Sequence, residues 1–293
     1  MNHTSAHNPG SPQALAASAV PDDAEVKMVV ADLDGTLLDQ NSEIPPQLWP
    51  LLDQMSERGI FFVPASGRQF ATLASMFERG GKDMPIIAEN GGYVARGGQE
   101  IDSTVLEPGF VSSFVMMLRG MAADGYDIGV VLCGKRSAHV ERSDEAFLKE
   151  ARLYYKALEI TDDVLKADDD IMKIAVFDFN DAEKALPVLE QARDGHKVVL
   201  SGKHWIDVMP LGVNKGLALQ RLQRELGISH EQTAAFGDYL NDAEMLDAAG
   251  LSFAVANAHP EVKARARAIV PANTEYGVIT TIEELLRAGS KRP

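Results

Sequence analysis

The stretch Val26-Lys27-Met28-Val29-Val30-Ala31-Asp32-Leu33-Asp34-Gly35-Thr36 decides how the rest of the chain is read. A short β-branched run that stops at an acidic turn reads as a strand buried in a parallel sheet. In extended backbone, residues i and i+2 share a face, so Asp32 and Asp34 can point into one crevice at the strand end. Two close carboxylates repel each other unless a cation or a shared proton compensates. Gly35 then allows a tight turn away from the sheet. Alone, the same stretch also describes an acidic turn that merely closes a strand.

Working outward, the pattern repeats. A helical stretch around Pro46 to Arg58 ends at Gly59, a candidate C-cap. The strand Ile60-Phe61-Phe62-Val63 runs into Pro64-Ala65-Ser66-Gly67-Arg68, and a helix over Phe70 to Arg79 leads to Ile86-Ile87-Ala88 and the turn Asn90-Gly91-Gly92. The same rhythm resumes near Lys215, with strands at Thr233 to Phe236, Leu251 to Val255 and Ala268 to Val270. Strand–helix alternation of this kind argues for an α/β protein with a doubly wound, Rossmann-like parallel sheet and ligands at the carboxyl ends of its strands.

Between these halves the pattern changes. Strand-like runs at Ile128 to Leu132, Ile171 to Phe177 and Lys197 to Leu200 alternate with acidic, helix-prone segments, and Ala167-Asp168-Asp169-Asp170 reads as a solvated loop. The expected organisation is a disordered tail over residues 1–23, a core domain over 24–92 and 209–293, and an inserted α/β cap domain over 93–208.

Composition narrows the function classes. The chain has 293 residues, with 28 Lys and Arg against 43 Asp and Glu for a net charge of −15. Nucleic-acid binding needs a basic surface that neutralises phosphates, and anionic headgroups would repel such a chain, so neither nucleic acid nor membrane is expected as a partner. No obligate protein partner is evident. The lone Cys133 excludes an internal disulfide and a Cys-based zinc site, and it fits a reducing cytoplasm. No run of about 18 apolar residues marks a membrane span. The N-terminus lacks the basic start and apolar core of a secretory signal.

Three more strand ends add to the first. Ser66-Gly67-Arg68 offers a hydroxyl, a backbone N–H and a guanidinium to an oxyanion. Asn214-Lys215-Gly216 places an ammonium at a helix N-terminus, where phosphate is favoured. Gly237-Asp238-Tyr239-Leu240-Asn241-Asp242 supplies two carboxylates and an amide. Singly, Ser66 is as readily an N-cap, Lys215 a surface charge and Asn241 a turn residue. Chance explains all four together, in this order and each at a strand end, poorly.

With these four motifs the sequence resembles the haloacid dehalogenase-like phosphohydrolases, and within them the Cof-type subclass, which carries a large α/β cap after the second motif. Similarity extends to Glu89-Asn90-Gly91-Gly92, Ala256-Asn257-Ala258, Glu261-Val262-Lys263 and Gly277-Val278, covering about residues 25 to 288. Tyr239 departs from the Ser or Asn that many relatives carry after the Gly-Asp pair; it bears on the substrate more than on the chemistry.

The resemblance implies a Mg²⁺-dependent phosphatase that hydrolyses small phosphorylated metabolites, sugar phosphates first, then compounds such as pyridoxal phosphate or flavin mononucleotide. Asp32 would be the nucleophile that forms an aspartyl-phosphate. Asp34 would protonate the leaving group and later take a proton from water. The metal would be held by the carboxylates of Asp32 and Asp238 and the backbone carbonyl of Asp34. The phosphate would be held by Ser66, Lys215, Asn241 and the backbone N–H groups of Leu33 and Gly67. Asp242 would act through water or by orienting Lys215, or else ligate directly. Arg68 would reach the phosphate or substrate, or form a structural ion pair, and Thr36 would support the loop. Candidate substrate contacts from the cap are Arg136, His139, His204 and Trp205. Rival readings are a sugar-phosphate mutase, a phospho-aspartate signalling receiver and a non-catalytic carbohydrate-binding protein.

Overall fold

The computed structural model describes residues 20–21, 24–201 and 203–289. The tail expected over residues 1–23 lies almost wholly outside the described residues. The first described segment runs β1 (Met28–Ala31), α1 (Leu48–Glu57), β2 (Phe61–Pro64), α2 (Phe70–Met76) and β3 (Pro85–Ala88). Every residue of β1 is buried, as expected for a strand covered on both faces.

A hairpin of β4 (Tyr93–Arg96) and β5 (Gln99–Ser103) follows. Its turn is Gly97-Gly98, at φ of 60° and 75°, the left-handed region that a tight hairpin turn requires. This hairpin pairs antiparallel with β3, and Tyr93, Val94 and Ala95 join the hydrophobic core of the parallel sheet. The boundary drawn at residue 93 from the sequence therefore falls inside a ladder. The chain passes to its second sheet only between Ser103 and Leu106, because a two-glycine turn keeps β4 and β5 beside β3.

The second segment contains α3 (Pro108–Ala123), β6 (Ile128–Gly134), β7 (Ala138–Val140), α4 (Glu145–Tyr154), β8 (Leu158–Ile160), β9 (Ile171–Asp178), α5 (Ala182–Gln191), β10 (Lys197–Leu200) and β11 (Trp205–Met209). Its strands form one sheet in the order β10-β11-β9-β6-β7-β8, antiparallel except for the β7–β8 pair. Side chains alternate across this sheet. Leu132, Ile174, Val176, Ile206 and Val208 pack with α3 and α5, whereas Val131, Cys133, Ala175, Phe177 and Trp205 pack with α4 and Tyr155. Lys173 and Asp207 occupy the α4 side of this alternation.

The chain then returns through α6 (Lys215–Leu226), β12 (Thr233–Gly237), α7 (Ala243–Asp247), β13 (Leu251–Val255), α8 (Pro260–Arg265), β14 (Ala268–Val270) and α9 (Gly277–Gly289). The strands order as β14-β13-β12-β1-β2, all parallel. The order reverses around β1, so the β1–β12 carboxyl ends form the crevice where such sheets bind ligands. Doubly wound α/β architecture is therefore what the residues build. Among the described residues no helix is long and apolar enough to cross a membrane.

Candidate active site

Asp32 follows the last residue of β1, and Asp238 follows the last residue of β12, its neighbour in the sheet. Adjacent parallel strands thus bring residues 206 positions apart to one ledge. Lys215 arrives from the first turn of α6, whose N-cap Asn214 accepts from the Leu217 N–H at 2.8 Å. The Lys215 side chain is completely buried, with Nζ 2.5 Å from Asp32 Oδ1 and 2.6 Å from Asp242 Oδ1. It is a site charge and not a surface one.

Asp242 is saturated with donors. Its Oδ1 takes the Lys215 ammonium, and its Oδ2 accepts from the backbone N–H groups of Asp238 (3.0 Å) and Tyr239 (3.2 Å). Thr36 Oγ1 donates to Asp238 Oδ1 at 2.9 Å, tying the β1 turn to the β12 turn. Asn257 Nδ2 donates to the Gly35 carbonyl at 2.7 Å, which accounts for the Ala256-Asn257-Ala258 motif as a brace of that turn.

The electrostatics follow from this packing. Burial pushes the Asp32 carboxyl well above its usual range, the charges of Asp242 and Asp238 push the same way, and Lys215 pulls back. Burial and the Asp242 charge also raise Asp238. Burial works against the charge on Lys215, yet Asp242 and Asp32 together hold its ammonium above the ordinary lysine value.

Asp32, Asp238 and Asp242 each offer a carboxylate oxygen, and these atoms lie within 4.8 Å of one another. An oxygen-only set of mutually repelling carboxylates is what a hard divalent cation satisfies. The Asp34 side chain stands outside this cluster. It is 55% exposed and held by the guanidinium of Arg68, with Nε to Oδ2 at 2.9 Å and Nη2 to Oδ1 at 2.5 Å. The hydrogen bonds that Asp34 accepts raise the Arg68 pKa.

Ser66, at the end of β2, is buried, and its Oγ accepts from the Arg68 N–H at 3.2 Å. The Asn90 N–H donates to the Ser66 carbonyl, and the Glu89 N–H to the Arg68 carbonyl. Asn241 Nδ2 donates to Asn90 Oδ1 at 3.1 Å, so two motifs distant in sequence meet at Asn90. The structure thus gathers Asp32, Asp238, Asp242, Lys215 and Thr36 in one cluster, with Asp34, Arg68, Ser66, Asn90 and Asn241 along the strand ends beside it.

The four residues of the second segment singled out from sequence do not join them. His139 is buried against Asp169 at 3.2 Å, His204 Nδ1 lies 2.8 Å from the Asp178 carbonyl, Trp205 packs on Phe177, and the Arg136 side chain is 67% exposed beside Asp168. Asp169 is likewise no part of a solvated loop. Its side chain is only 3% exposed and accepts from the Arg136, Ser137 and Asp170 N–H groups, whereas Asp168 and Asp170 are exposed.

The second segment touches the strand-end loops elsewhere. Gln69 Nε2 donates to the Ala157 carbonyl (2.9 Å) and its Oε1 accepts from the Ala157 N–H (3.0 Å). Thr72 Oγ1 donates to the Tyr154 carbonyl at 3.0 Å. Lys173 of β9 lies 2.7 Å from Glu89, 3.6 Å from Asp207 and 3.4 Å from the Gly67 carbonyl. Sequence reading missed this trio, although a lysine inside the apolar run Ile171 to Phe177 was a visible signal.

Comparison with known proteins agrees with this geometry. Residues 29–282 match the haloacid dehalogenase-like hydrolase family. The chain belongs to the haloacid dehalogenase-like hydrolases. It is 32% identical over 269 residues to the 5-amino-6-(5-phospho-D-ribitylamino)uracil phosphatase YbjI of Escherichia coli, covering 89% of this chain and 97% of that protein. It is 27% identical over 284 residues to the phosphatase of the same name, YwtE, from Bacillus subtilis, covering 89% of this chain and 98% of the other. Among solved structures, a haloacid dehalogenase-like hydrolase from Bacteroides thetaiotaomicron superposes with a TM-score of 0.78 at 27% identity, covering 89% of this chain and 99% of that one. The enzyme class expected from sequence, a phosphoric monoester hydrolase of the haloacid dehalogenase-like type, agrees with these relatives.

Proposed function

We propose that this haloacid dehalogenase-like enzyme is a Mg²⁺-dependent phosphatase of small phosphorylated metabolites, with sugar phosphates as its first substrate class. The observation that carries the reading is the buried cluster in which Lys215 bridges Asp32 and Asp242 while Asp238 stands beside them. The relatives named above act on an aminouracil joined to a phosphorylated ribityl chain, a phosphate ester of the same small, polyhydroxylated kind.

In this reading Asp32 attacks phosphorus and becomes the aspartyl-phosphate, which water then hydrolyses. Burial and two neighbouring carboxylates raise its pKa against the pull of Lys215, so a divalent cation at the cluster would favour its ionised, nucleophilic form further. Asp32, Asp238 and the backbone carbonyl of Asp34 would hold Mg²⁺. Bound there, the ion would neutralise phosphate charge. Asp242, with both oxygens occupied, positions Lys215 instead of ligating.

Lys215, Ser66, Asn241 and the N–H groups of Leu33 and Gly67 would hold the phosphoryl oxygens, with charge building where donors are already fixed. Asp34 serves as general acid and base. The Arg68 fork pairs with its carboxylate form, so proton donation requires the fork to open, which an arriving anionic phosphate favours by offering Arg68 a second partner. Thr36 keeps the β1 turn in place.

The second sheet and its helices would act as a cap that excludes water and selects the leaving group. A cytoplasmic setting fits the buried, unpaired Cys133. The test is a screen of phosphorylated metabolites with and without Mg²⁺. Release of inorganic phosphate only with the ion supports the proposal. Isomerised sugar phosphate without release would point to a mutase, and stable phospho-Asp32 without turnover to a receiver.

A further inference from the structure

Lys173 is a buried cation that none of the chemistry above uses. It lies in β9 of the second sheet, yet its ammonium reaches the strand-end loop of the first. Its side chain is 4% exposed, that of Glu89 1% and that of Asp207 8%. Neither Glu89 oxygen has another partner among the described residues, so the carboxylate depends on the ammonium 2.7 Å away. Glu89 itself sits at a φ of 50°, in the turn whose next residue, Asn90, meets Asn241.

We propose that Lys173 is a positioning residue for the phosphate loop, fixing Ser66 from the opposite unit through the Gly67–Arg68 peptide group. That peptide has its carbonyl 3.4 Å from Lys173 Nζ, and its N–H donates to Ser66 Oγ at 3.2 Å. Carbonyl and N–H of one peptide point in opposite directions. A cation on the carbonyl side therefore fixes the plane and strengthens the donor on the other. Ser66 Oγ, held by that N–H, is left with its own proton to aim at a phosphoryl oxygen.

The same ammonium neutralises Glu89, whose backbone N–H holds the Arg68 carbonyl. Both flanks of the loop thus depend on one charge. Burial raises Glu89, and Asp207 and Glu89 together hold Lys173 well above its ordinary value against the effect of burial, as a paired site requires. The dependence runs between units: the phosphate loop is fully ordered only while the second sheet is seated on the first.

This inference rests on the phosphatase reading, and its test separates the two. Hydrolysis of p-nitrophenyl phosphate with Mg²⁺, the affinity for inorganic phosphate by calorimetry, and Tm are measured on four proteins. These are wild type, Lys173→Met, Lys173→Arg, and the triple variant Lys173→Met with Glu89→Gln and Asp207→Asn. An inactive wild type would overturn the phosphatase reading alone, since phosphate binding needs no turnover.

For Lys173→Met, both Tm and kcat/KM fall. The triple variant removes the whole charged trio, so Tm returns towards wild type. Its kcat/KM and phosphate affinity nevertheless stay lower by about 10- to 100-fold, because the peptide has lost its partner. Lys173→Arg keeps the charge but moves the donors, and lowers kcat/KM while Tm holds within about 2 °C. Wild-type turnover and phosphate affinity in a folded triple variant, or in Lys173→Arg, would reduce Lys173 to a structural ion pair and overturn the proposal.

Discussion

Replacing Lys215 by Met removes the one cation in contact with Asp32 and Asp242 among the described residues while keeping most of the side-chain volume. Both carboxylates are buried and within 2.6 Å of the ammonium, so each loses its counter-charge in a region closed to water. Breaking a buried pair in this way costs about 3–5 kcal/mol. For a chain of this length that lowers Tm by roughly 6–10 °C, at about 2 °C per kcal/mol. Saturating Mg²⁺ at about 100 times its Kd returns about 2.7 kcal/mol, so thermal melts with and without the ion should show recovery of roughly half to nine-tenths of the loss. Catalysis should not recover: losing a fixed donor to the transferring phosphoryl group costs about 10²–10³ in kcat. Adding Asp242→Asn should restore Tm but leave kcat low. A Lys215→Met protein with wild-type Tm in EDTA, or with kcat within about twofold of wild type, would refute the view that one buried ammonium holds this cluster together.

Other outcomes follow from the same geometry. Asp32→Asn should lose on the order of 10⁴-fold or more in turnover while its metal-free Tm equals or exceeds wild type, because a desolvated, repelled carboxylate is gone; melts and kinetics on one preparation check both. Gly35→Ala should impair activity, since a Cβ at φ 84° would sit 2.5 Å from Asp238 Oδ2; circular dichroism should show the fold retained. Lys173 bears on alkaline stability. Its folded pKa lies above the unfolded value of 10.5, so its contribution is complete below pH 10.5 and is lost as pH rises through the folded value. In that window the unfolded chain has released a proton that the fold retains, giving a slope of about −1.4 kcal/mol per pH unit. Denaturant titrations of Lys173→Met above pH 10.5 should lack that slope. Chelation should abolish phosphate release, and added Mg²⁺ should restore it.

Much of this was legible in the sequence because a parallel sheet converts local patterns into a global arrangement. Each apolar run ending in a polar turn becomes a strand with its candidate site side chains at the carboxyl end, so Asp32, Ser66 and Asp238 could be placed along one edge from their flanking runs; Lys215, which follows a strand of the other sheet, was legible only as the start of a helix after Asn214. The second segment resisted such reading. Its strands alternate, but both faces are covered, so alternation does not distinguish the residues that look towards the site from those that do not. His139 and Trp205 have the chemistry of ligand contacts and are consumed by packing. Asp169, taken for a solvated charge, has a buried side chain that gathers backbone donors. The pairing of Asn241 with Asn90 spans 151 positions and depends on the turn at Glu89-Asn90, which no periodicity encodes.

The joint between the two units has its own consequence. Each unit has its own apolar clusters, and among the described residues Met172 is the one of the second segment that joins the core of the parallel sheet. The contacts described between them are otherwise polar: Gln69 with Ala157, Thr72 with Tyr154, and Lys173 with Glu89. Oil-like surfaces resist parting because water must cover them, whereas groups that trade one polar partner for a water molecule can separate and rejoin at little net cost. Under the proposed phosphatase reading, a seam of this composition would serve as a hinge fastened by exchangeable bonds, opening to admit a charged metabolite and release a charged product while both halves stay folded.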